Sequence, residues 1–230
     1  AMSVGSIVGP AGAAVLANFG ALAPLWGAVV FAALSALFIL IVLPDDRGAT
    51  SGRARPSPLN VRDPRIFVFL VFLVGYFVAV ACIQQTLAFL IVDRFELGRA
   101  DAVAAAGYAF GAMALAMVIT QTFYVNRLKP SPNVMLSRGL FLVALGYALA
   151  VIPAPFIALC GAFAIVGIGA ALVVPAVNAL GTLAVDQGEQ GSAAALLAAA
   201  PPAGFVVGPL LGGVLYMASP NLPLIVSAVG

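Results

Sequence analysis

Charged residues divide the chain into long apolar segments. The charge-free runs are Ala1–Pro44, Ile66–Val92, Ala102–Asn126, Gly139–Val185 and Gln190–Gly230. Because about 20 residues of α-helix cross the hydrocarbon core of a bilayer, the second and third runs each predict one membrane span. The other three runs are about twice that length, and turn residues such as proline and asparagine interrupt each of them. The pattern therefore predicts a chain of membrane-spanning helices.

This pattern gives eight predicted helices. Their bounds are Ala1–Phe19, Pro24–Leu43, Ile66–Val92, Ala102–Tyr124, Met135–Ile152, Phe156–Val185, Ser192–Met217 and Leu222–Gly230. The last helix is too short to cross a bilayer. We therefore expect an all-α membrane protein with seven full or nearly full spans and a partial last one. We also expect the chain to be part of a longer protein.

Composition excludes several classes of function. The chain is 63% hydrophobic and 8% charged, whereas a soluble domain has about 25% charged residues. A net charge of +2 without a basic, aromatic-interleaved cluster gives no reason to expect a nucleic-acid partner. With no histidine, this chain alone cannot build a Ser–His pair or a H-E-x-x-H zinc site. Cys82 and Cys160 lack metal-ligand spacing and are expected to be small buried hydrophobes, so we predict no metal, no cofactor and no enzymatic activity.

The basic residues indicate an orientation. One set of alternating loops carries eight of the ten Lys and Arg residues: Arg47, Arg53, Arg55, Arg62, Arg65, Arg127, Lys129 and Arg138. The other set carries only Arg94 and Arg99. The positive-inside rule assigns the first set to the cytoplasm. The predicted spans make the chain an integral multi-pass membrane protein, and we expect its membrane to be a bacterial inner membrane.

An internal repeat links the two ends of the chain. The segment that begins at Gly5 recurs 199 residues later at Gly204, with nine identities between Gly5 and Phe31. The first predicted span therefore resembles the seventh, and the second resembles the eighth. A period of six spans predicts a parent protein of two six-helix halves, with four spans preceding Ala1.

Two six-helix halves, a long basic loop and G-x-x-x-G-P helices resemble the major facilitator superfamily of transporters. The resemblance covers the whole chain as helices five to twelve of twelve, and it implies a truncated two-bundle fold. Residues 1–43 would be the last two helices of the N-terminal bundle. Residues 44–65 would be the cytoplasmic loop between the bundles, and residues 66–230 the C-terminal six-helix bundle.

The glycine–proline motif carries most of this resemblance. In the seventh span it consists of Gly204, Gly208, Pro209, Gly212 and Gly213, which match the family's fifth-helix antiporter pattern. The first span keeps Gly5, Gly9 and Pro10, with alanines in place of the paired glycines. Glycines four residues apart let helices approach closely in lipid, and a proline can bend its helix. The motif thus predicts either general tight packing or a gating interface between the two halves.

Other family signatures are missing. In the loop Asn126–Pro132, Pro130 stands where the family has an aspartate, and only Leu128 and the basic character remain. A charge latch is therefore not expected at this loop. The second span ends without the P-E-S-P-R run typical of sugar porters, which disfavours that branch of the family.

Neutral polar side chains within the spans are the candidates for a substrate cavity. They are Tyr76, Gln84, Gln85, Tyr108, Gln121 and Asn178. Polar groups are costly in apolar surroundings unless they face protein or water, so each is expected either to bond a neighbouring helix or to line a cavity. The resemblance places their spans around the central cavity.

The function expected from the sequence is secondary transport by alternating access. Since the predicted spans carry no charge in their apolar runs, the substrate is expected to be small and neutral or lipophilic. The resemblance implies export coupled to protons by a monomer. The alternatives are a facilitator or importer of a neutral metabolite such as a sugar and, more remotely, a membrane-embedded enzyme or scaffold.

Overall fold

The computed structural model describes residues 23–42 and 59–229, and within these ranges the chain forms helices without any β-strand. The chain divides into two compact units, one ending at Arg55 and the other beginning at Pro56. The first unit contributes helix α1, Ala23–Val42, which agrees with the predicted span Pro24–Leu43. The predicted span Ala1–Phe19, with Gly5, Gly9 and Pro10, lies outside the described residues, as does most of the predicted inter-bundle loop.

The second unit contains the remaining described helices. They are α2 (Pro64–Phe95), α3 (Arg99–Leu128), α4 (Pro132–Val151), α5 (Phe156–Leu183), α6 (Gln190–Ala218) and α7 (Leu222–Val229). The five helices α2 to α6 are long and apolar enough to cross a membrane. This confirms the predicted all-helical character and fits an integral multi-pass membrane protein.

The helices extend beyond the charge-free runs, so several charges expected in loops lie in terminal helical turns. Helix α2 starts at Pro64 and runs to Phe95, which brings Arg65 and Arg94 into the helix. Its first turn is capped by Asp63, whose carboxylate accepts a hydrogen bond from the Arg65 backbone N–H at 2.9 Å. A 32-residue helix is longer than the hydrocarbon core requires. Its ends can therefore reach the polar boundary, where charge is tolerated.

Helix α5 lies at the centre of the second unit. It packs against α3 and α4, while α6 packs along α2, and contacts of α5 with α2 and α6 join the two groups. Phe163 of α5 is fully buried, and its ring meets Phe110 of α3 and Tyr147 of α4 edge-to-face at centroid distances of 5.7 and 6.3 Å. This aromatic cluster joins three helices in the core.

Glycines let α4 and α5 approach each other closely. A Cβ added to Gly146 would lie 2.6 Å from Val166 Cγ2 and 2.8 Å from the Ala162 carbonyl oxygen. On the facing helix, a Cβ on Gly169 would lie 2.7 Å from the Gly139 carbonyl oxygen. A side chain at these positions would therefore force the helices apart. The positions of these glycines in the sequence do not predict the contact, since they form no compact motif.

Arg94 links the ends of three helices by hydrogen bonds on the predicted outer side of the membrane. Its guanidinium donates to the carbonyl oxygens of Ala150 at 2.7 Å and Val151 at 3.3 Å, and to Asn221 Oδ1 at 2.8 Å. The first two acceptors belong to the last turn of α4, where carbonyls lack partners within the helix. Arg94 thus satisfies the end of α4 and links α2 to the connection between α6 and α7.

We expect Arg94→Met to lower the free energy of unfolding by about 2 kcal/mol, because it removes charge-assisted hydrogen bonds to partly buried acceptors. Equilibrium denaturation in detergent micelles measures this difference. Arg99→Met is the matched control, since Arg99 is exposed at the same end of the unit. Equal losses in the two variants would contradict a specific role for Arg94.

Candidate functional site in the second unit

Three of the predicted cavity residues are exposed on the surface of the second unit. Gln84 and Gln85 of α2 are exposed, and Tyr108 of α3 is 70% exposed. Gln84 lies only about 7 Å along the helix axis from the midpoint of α2. Within the described ranges no hydrogen bond involves the side chain of either glutamine. An unpaired amide costs free energy in hydrocarbon, so protein or water is expected to cover this surface.

The other predicted cavity residues are held inside the unit. Tyr76 is half-buried beside the rings of Phe72 and Phe77, at centroid distances of 6.3 and 5.5 Å. Asn178 Nδ2 donates to the Val174 carbonyl oxygen of its own helix at 2.9 Å. The Val174 carbonyl thus accepts one hydrogen bond from the Asn178 amide, whereas the described contacts of Tyr76 are made by its ring.

The six candidates do not form one cluster. Tyr108 and Gln121 both lie on α3, but 13 residues of helix separate them by about 20 Å. Gln121, which is half-buried, and Asn178 lie in the predicted cytoplasmic halves of their helices. Gln84, Gln85 and Tyr108 lie in the predicted outer halves of theirs. We call the exposed side chains of Gln84, Gln85 and Tyr108 the exposed polar surface, since these three are the predicted cavity residues that are open to a ligand.

The glycine motif of α6 packs against α2 within the second unit. A Cβ added to Gly204 would lie 2.6 Å from Phe77 Cβ, and one on Gly212 would lie 2.9 Å from Cys82 Cα. Gly208, between them, faces Ala81, and its carbonyl oxygen accepts a hydrogen bond from Cys82 Sγ at 3.0 Å. These three glycines thus form a close helix–helix interface.

The remaining residues of the motif are Gly213 and Pro209. A Cβ added to Gly213 would meet no atom within 4 Å, so this glycine points away from α2. Pro209 lies inside the continuous helix α6, as do Pro201 and Pro202. Only part of the glycine motif is therefore required for the packing of α6 on α2.

A cavity of about 390 Å³ opens between α3, α4 and α5. Its apolar walls are formed by Ile119, Phe123, Leu142, Ile168 and Leu172. Its polar groups are Thr120, Tyr124 and Arg138, with the Arg138 guanidinium donating to the Tyr124 hydroxyl at 2.7 Å. The charge pattern predicted a loop at Arg138, but this residue lies in the second turn of α4. The cavity thus has one cation in an otherwise largely apolar lining.

A π-helical segment shapes this cavity. Residues Thr120–Val125 of α3 form a π-helix, and the Asn126 N–H bonds the Gln121 carbonyl oxygen five residues earlier. The Thr120 hydroxyl donates to the Ala116 carbonyl oxygen at 2.8 Å. Such segments widen the helix and are frequent at functional sites. Gln121 is the only residue of this segment that the sequence singled out, and it does not reveal a change of helix type.

A charged cluster joins α2 to the α5–α6 connection at the predicted cytoplasmic end. Arg65 forms ion pairs with Asp63 at 2.8 Å, Glu189 at 3.0 Å and Asp186 at 3.5 Å. The hydrogen bonds from Arg65 hold the pKa of the Asp63 carboxyl below its ordinary value. Asp63 therefore adds to the stability of the unit while it is ionised, and this contribution is lost when it is protonated.

A second polar contact lies at the opposite end. The Tyr216 hydroxyl donates to the Asp93 carboxylate, and the Tyr216 ring lies 6.1 Å from that of Phe89. This contact joins α6 to α2 beyond the glycine interface. Both partners are far apart in the sequence, so no local motif could predict it.

Comparison with protein-family models, curated proteins and solved structures found no match to this chain. Among the described residues, no group of three or more Cys, Asp or Glu side chains could hold a metal ion.

The two adjacent glycines of α6 provide a matched test of the interface. We expect Gly212→Ala to lower the free energy of unfolding by about 1–3 kcal/mol, because the new methyl group would overlap Cys82. Gly213→Ala should leave stability unchanged or raise it by up to about 1 kcal/mol, because alanine favours the helix. Denaturation of both variants in detergent measures the difference. Similar effects at the two positions would argue against the observed packing.

The cluster around Arg65 should make stability depend on pH. A carboxyl whose pKa is lowered by folding stabilises the protein above its unfolded pKa of about 3.9, and this stabilisation disappears as pH falls through the folded pKa. Asp63→Asn retains a capping oxygen but loses the charge. We expect the melting temperature of the variant to lie below that of the unaltered protein at pH 7, with the gap closing below about pH 4. A gap that stays constant from pH 7 to pH 2.5 would rule out this linkage.

Proposed function

We propose that the protein is a secondary transporter that moves a small neutral or lipophilic molecule across the membrane by alternating access. The observation that carries the proposal is the exposure of Gln84, Gln85 and Tyr108 on membrane-crossing helices. Polar groups at this depth need protein or water against them. A water-filled pathway between this unit and another provides such an environment.

The internal contacts of the second unit support movement as one body. The Gly204–Gly212 stripe packs α6 on α2, and the glycines of α4 and α5 pack these two helices together. Arg94 and Arg65 link helices at the two ends of the unit. With its helices held in this way, the unit is suited to rock against a second bundle, as alternating access in transporters with repeated halves requires.

The chemistry of the exposed polar surface favours uncharged substrates. Its amides and phenol donate and accept hydrogen bonds without carrying a charge. The ionisable Arg and Asp residues of α2 lie in its terminal turns. A neutral or lipophilic molecule would therefore meet no fixed charge at this surface.

We propose that the direction of transport is export and that protons are the coupling ion. The glycine–proline motif and the family resemblance support this proposal. In this proposal the protein is a monomer in a bacterial inner membrane. Import of a neutral metabolite is the second candidate. It is favoured by the paired amides of Gln84 and Gln85, which can bond sugar hydroxyl groups.

Accumulation of neutral lipophilic dyes and drugs in cells producing the complete protein tests export. We expect reduced accumulation that a protonophore restores. Unchanged accumulation across the panel would count against export, and equilibrating uptake of a neutral metabolite that ignores a protonophore would favour the second candidate.

Variants at the exposed polar surface connect transport to the structure. We expect Gln84→Leu and Gln85→Leu each to lower the transport rate about tenfold while protein amount and melting temperature are maintained, because a lost hydrogen bond to substrate or water is worth about 1–2 kcal/mol. Gln187→Leu is the matched control, since Gln187 is exposed in the connection between α5 and α6. Normal transport by both α2 variants would remove this surface from the pathway.

A further inference from the structure

The cavity between α3, α4 and α5 has a chemistry that the proposed transport does not use. Arg138 is exposed, and its described hydrogen-bond acceptor is the neutral Tyr124 hydroxyl. None of the ion pairs among residues 59–229 includes Arg138. A guanidinium without a carboxylate partner is available to an anionic ligand.

The surroundings of Arg138 are basic as well. From Asn126 to Arg138 the chain contains Arg127, Lys129 and Arg138 but no acidic residue. The positive-inside rule places this end of the unit at the cytoplasmic leaflet, where anionic lipids create a negative surface potential. The charge of the site is therefore complementary to that leaflet.

Apolar side chains extend from the cavity to the surface of the protein. Phe123 of the cavity wall is 56% exposed, and Phe141, one helical turn beyond Arg138, is 66% exposed. A second opening of about 400 Å³ lies beside Phe141 and Leu142 and shares Arg138 with the cavity. A cation next to exposed apolar side chains fits an amphipathic molecule better than a free inorganic anion.

We propose that this cavity binds an anionic phospholipid of the cytoplasmic leaflet. The phosphate accepts hydrogen bonds from Arg138, and an acyl chain lies along Leu142 and the side chains of the π-helical segment Thr120–Val125. The π-helix matters because it contributes both Tyr124, which orients Arg138, and Phe123, which lines the path of the acyl chain. Occupancy joins α3 to α4 at the end where the described structure leaves a cavity between them.

Thermal unfolding of the complete protein in a neutral detergent tests this proposal. The probes are dioctanoyl phosphatidylglycerol, dioctanoyl phosphatidylcholine and inorganic phosphate, each titrated at the same salt concentration. We expect phosphatidylglycerol to raise the melting temperature saturably, as a ligand of the folded state does. The other two probes should have little effect. Equal stabilisation by phosphatidylcholine would overturn the role of charge, and equal stabilisation by phosphate would overturn a lipid ligand.

Variants locate the site. Arg138→Gln should weaken apparent binding of phosphatidylglycerol about fivefold, the amount expected for one basic residue near an anionic membrane surface. Lys129→Gln removes the same charge from the same end of the unit but not from the cavity, and should change binding less than twofold. Equal weakening by the two substitutions would overturn a specific site in favour of diffuse attraction.

A cavity-filling variant keeps the test decisive if Arg138→Gln does not fold. Leu142→Trp preserves every charge and occupies the space assigned to the acyl chain. We expect it to abolish saturable stabilisation by phosphatidylglycerol while retaining the helical content of the unaltered protein. Unchanged lipid binding by a folded Leu142→Trp protein would overturn the proposal.

Discussion

The arrangement of the second unit depends on how closely its helix backbones approach. Inside a bilayer, lipid tails are as apolar as the helices, so van der Waals contact has to provide most of the association. Gly204 and Gly212 supply this contact between α6 and α2, and Gly146 and Gly169 supply it between α4 and α5. The contact between Tyr216 and Asp93 joins α6 to α2 at the end of the first of these close interfaces.

The polar contacts at the two ends complement the apolar interior. Arg65 joins α2 to the α5–α6 connection at one end, and Arg94 joins α2 to α4 at the other. Both guanidinium groups lie in terminal turns, where their long side chains can bond without crossing the hydrocarbon. Glycine contacts along the helices and charged contacts at their ends thus hold the helices of the unit together.

Two surfaces of this unit are suited to different molecules. The exposed amides of Gln84 and Gln85 on α2 offer uncharged hydrogen bonding, which suits a neutral substrate in water. The cavity beside Arg138 combines a cation with apolar walls, which suits a lipid. The first surface lies in the predicted outer half of the unit and the second at its predicted cytoplasmic end, so the two proposed ligands could be bound together. Lipid bound between α3 and α4 would strengthen the contact between these helices.

The sequence by itself determined the helical class, the approximate helix bounds and the number of long apolar helices in the second unit. It did so because hydrophobic length and charge position are local properties, and crossing a bilayer imposes a minimum helix length. It also identified Gly204, Gly208 and Gly212, since spacing by four places them on one face of a helix. The extension of α2 to include Arg65 and Arg94 was missed, because an apolar run marks the hydrocarbon and not the end of the helix.

Only the tertiary structure decided which surfaces meet. It showed that Gly212 contacts α2 and that Gly213 does not, although both are glycines of the same motif, because adjacent helical positions point in directions about 100° apart. It brought Arg138 to Tyr124 and Tyr216 to Asp93 across different helices. It also divided the predicted cavity residues into exposed Gln84, Gln85 and Tyr108 and partly buried Tyr76, Gln121 and Asn178. Contacts between residues on different helices depend on how the helices pack. The spacing of apolar residues in the sequence shows which face of a helix is apolar, but not which other helix covers that face.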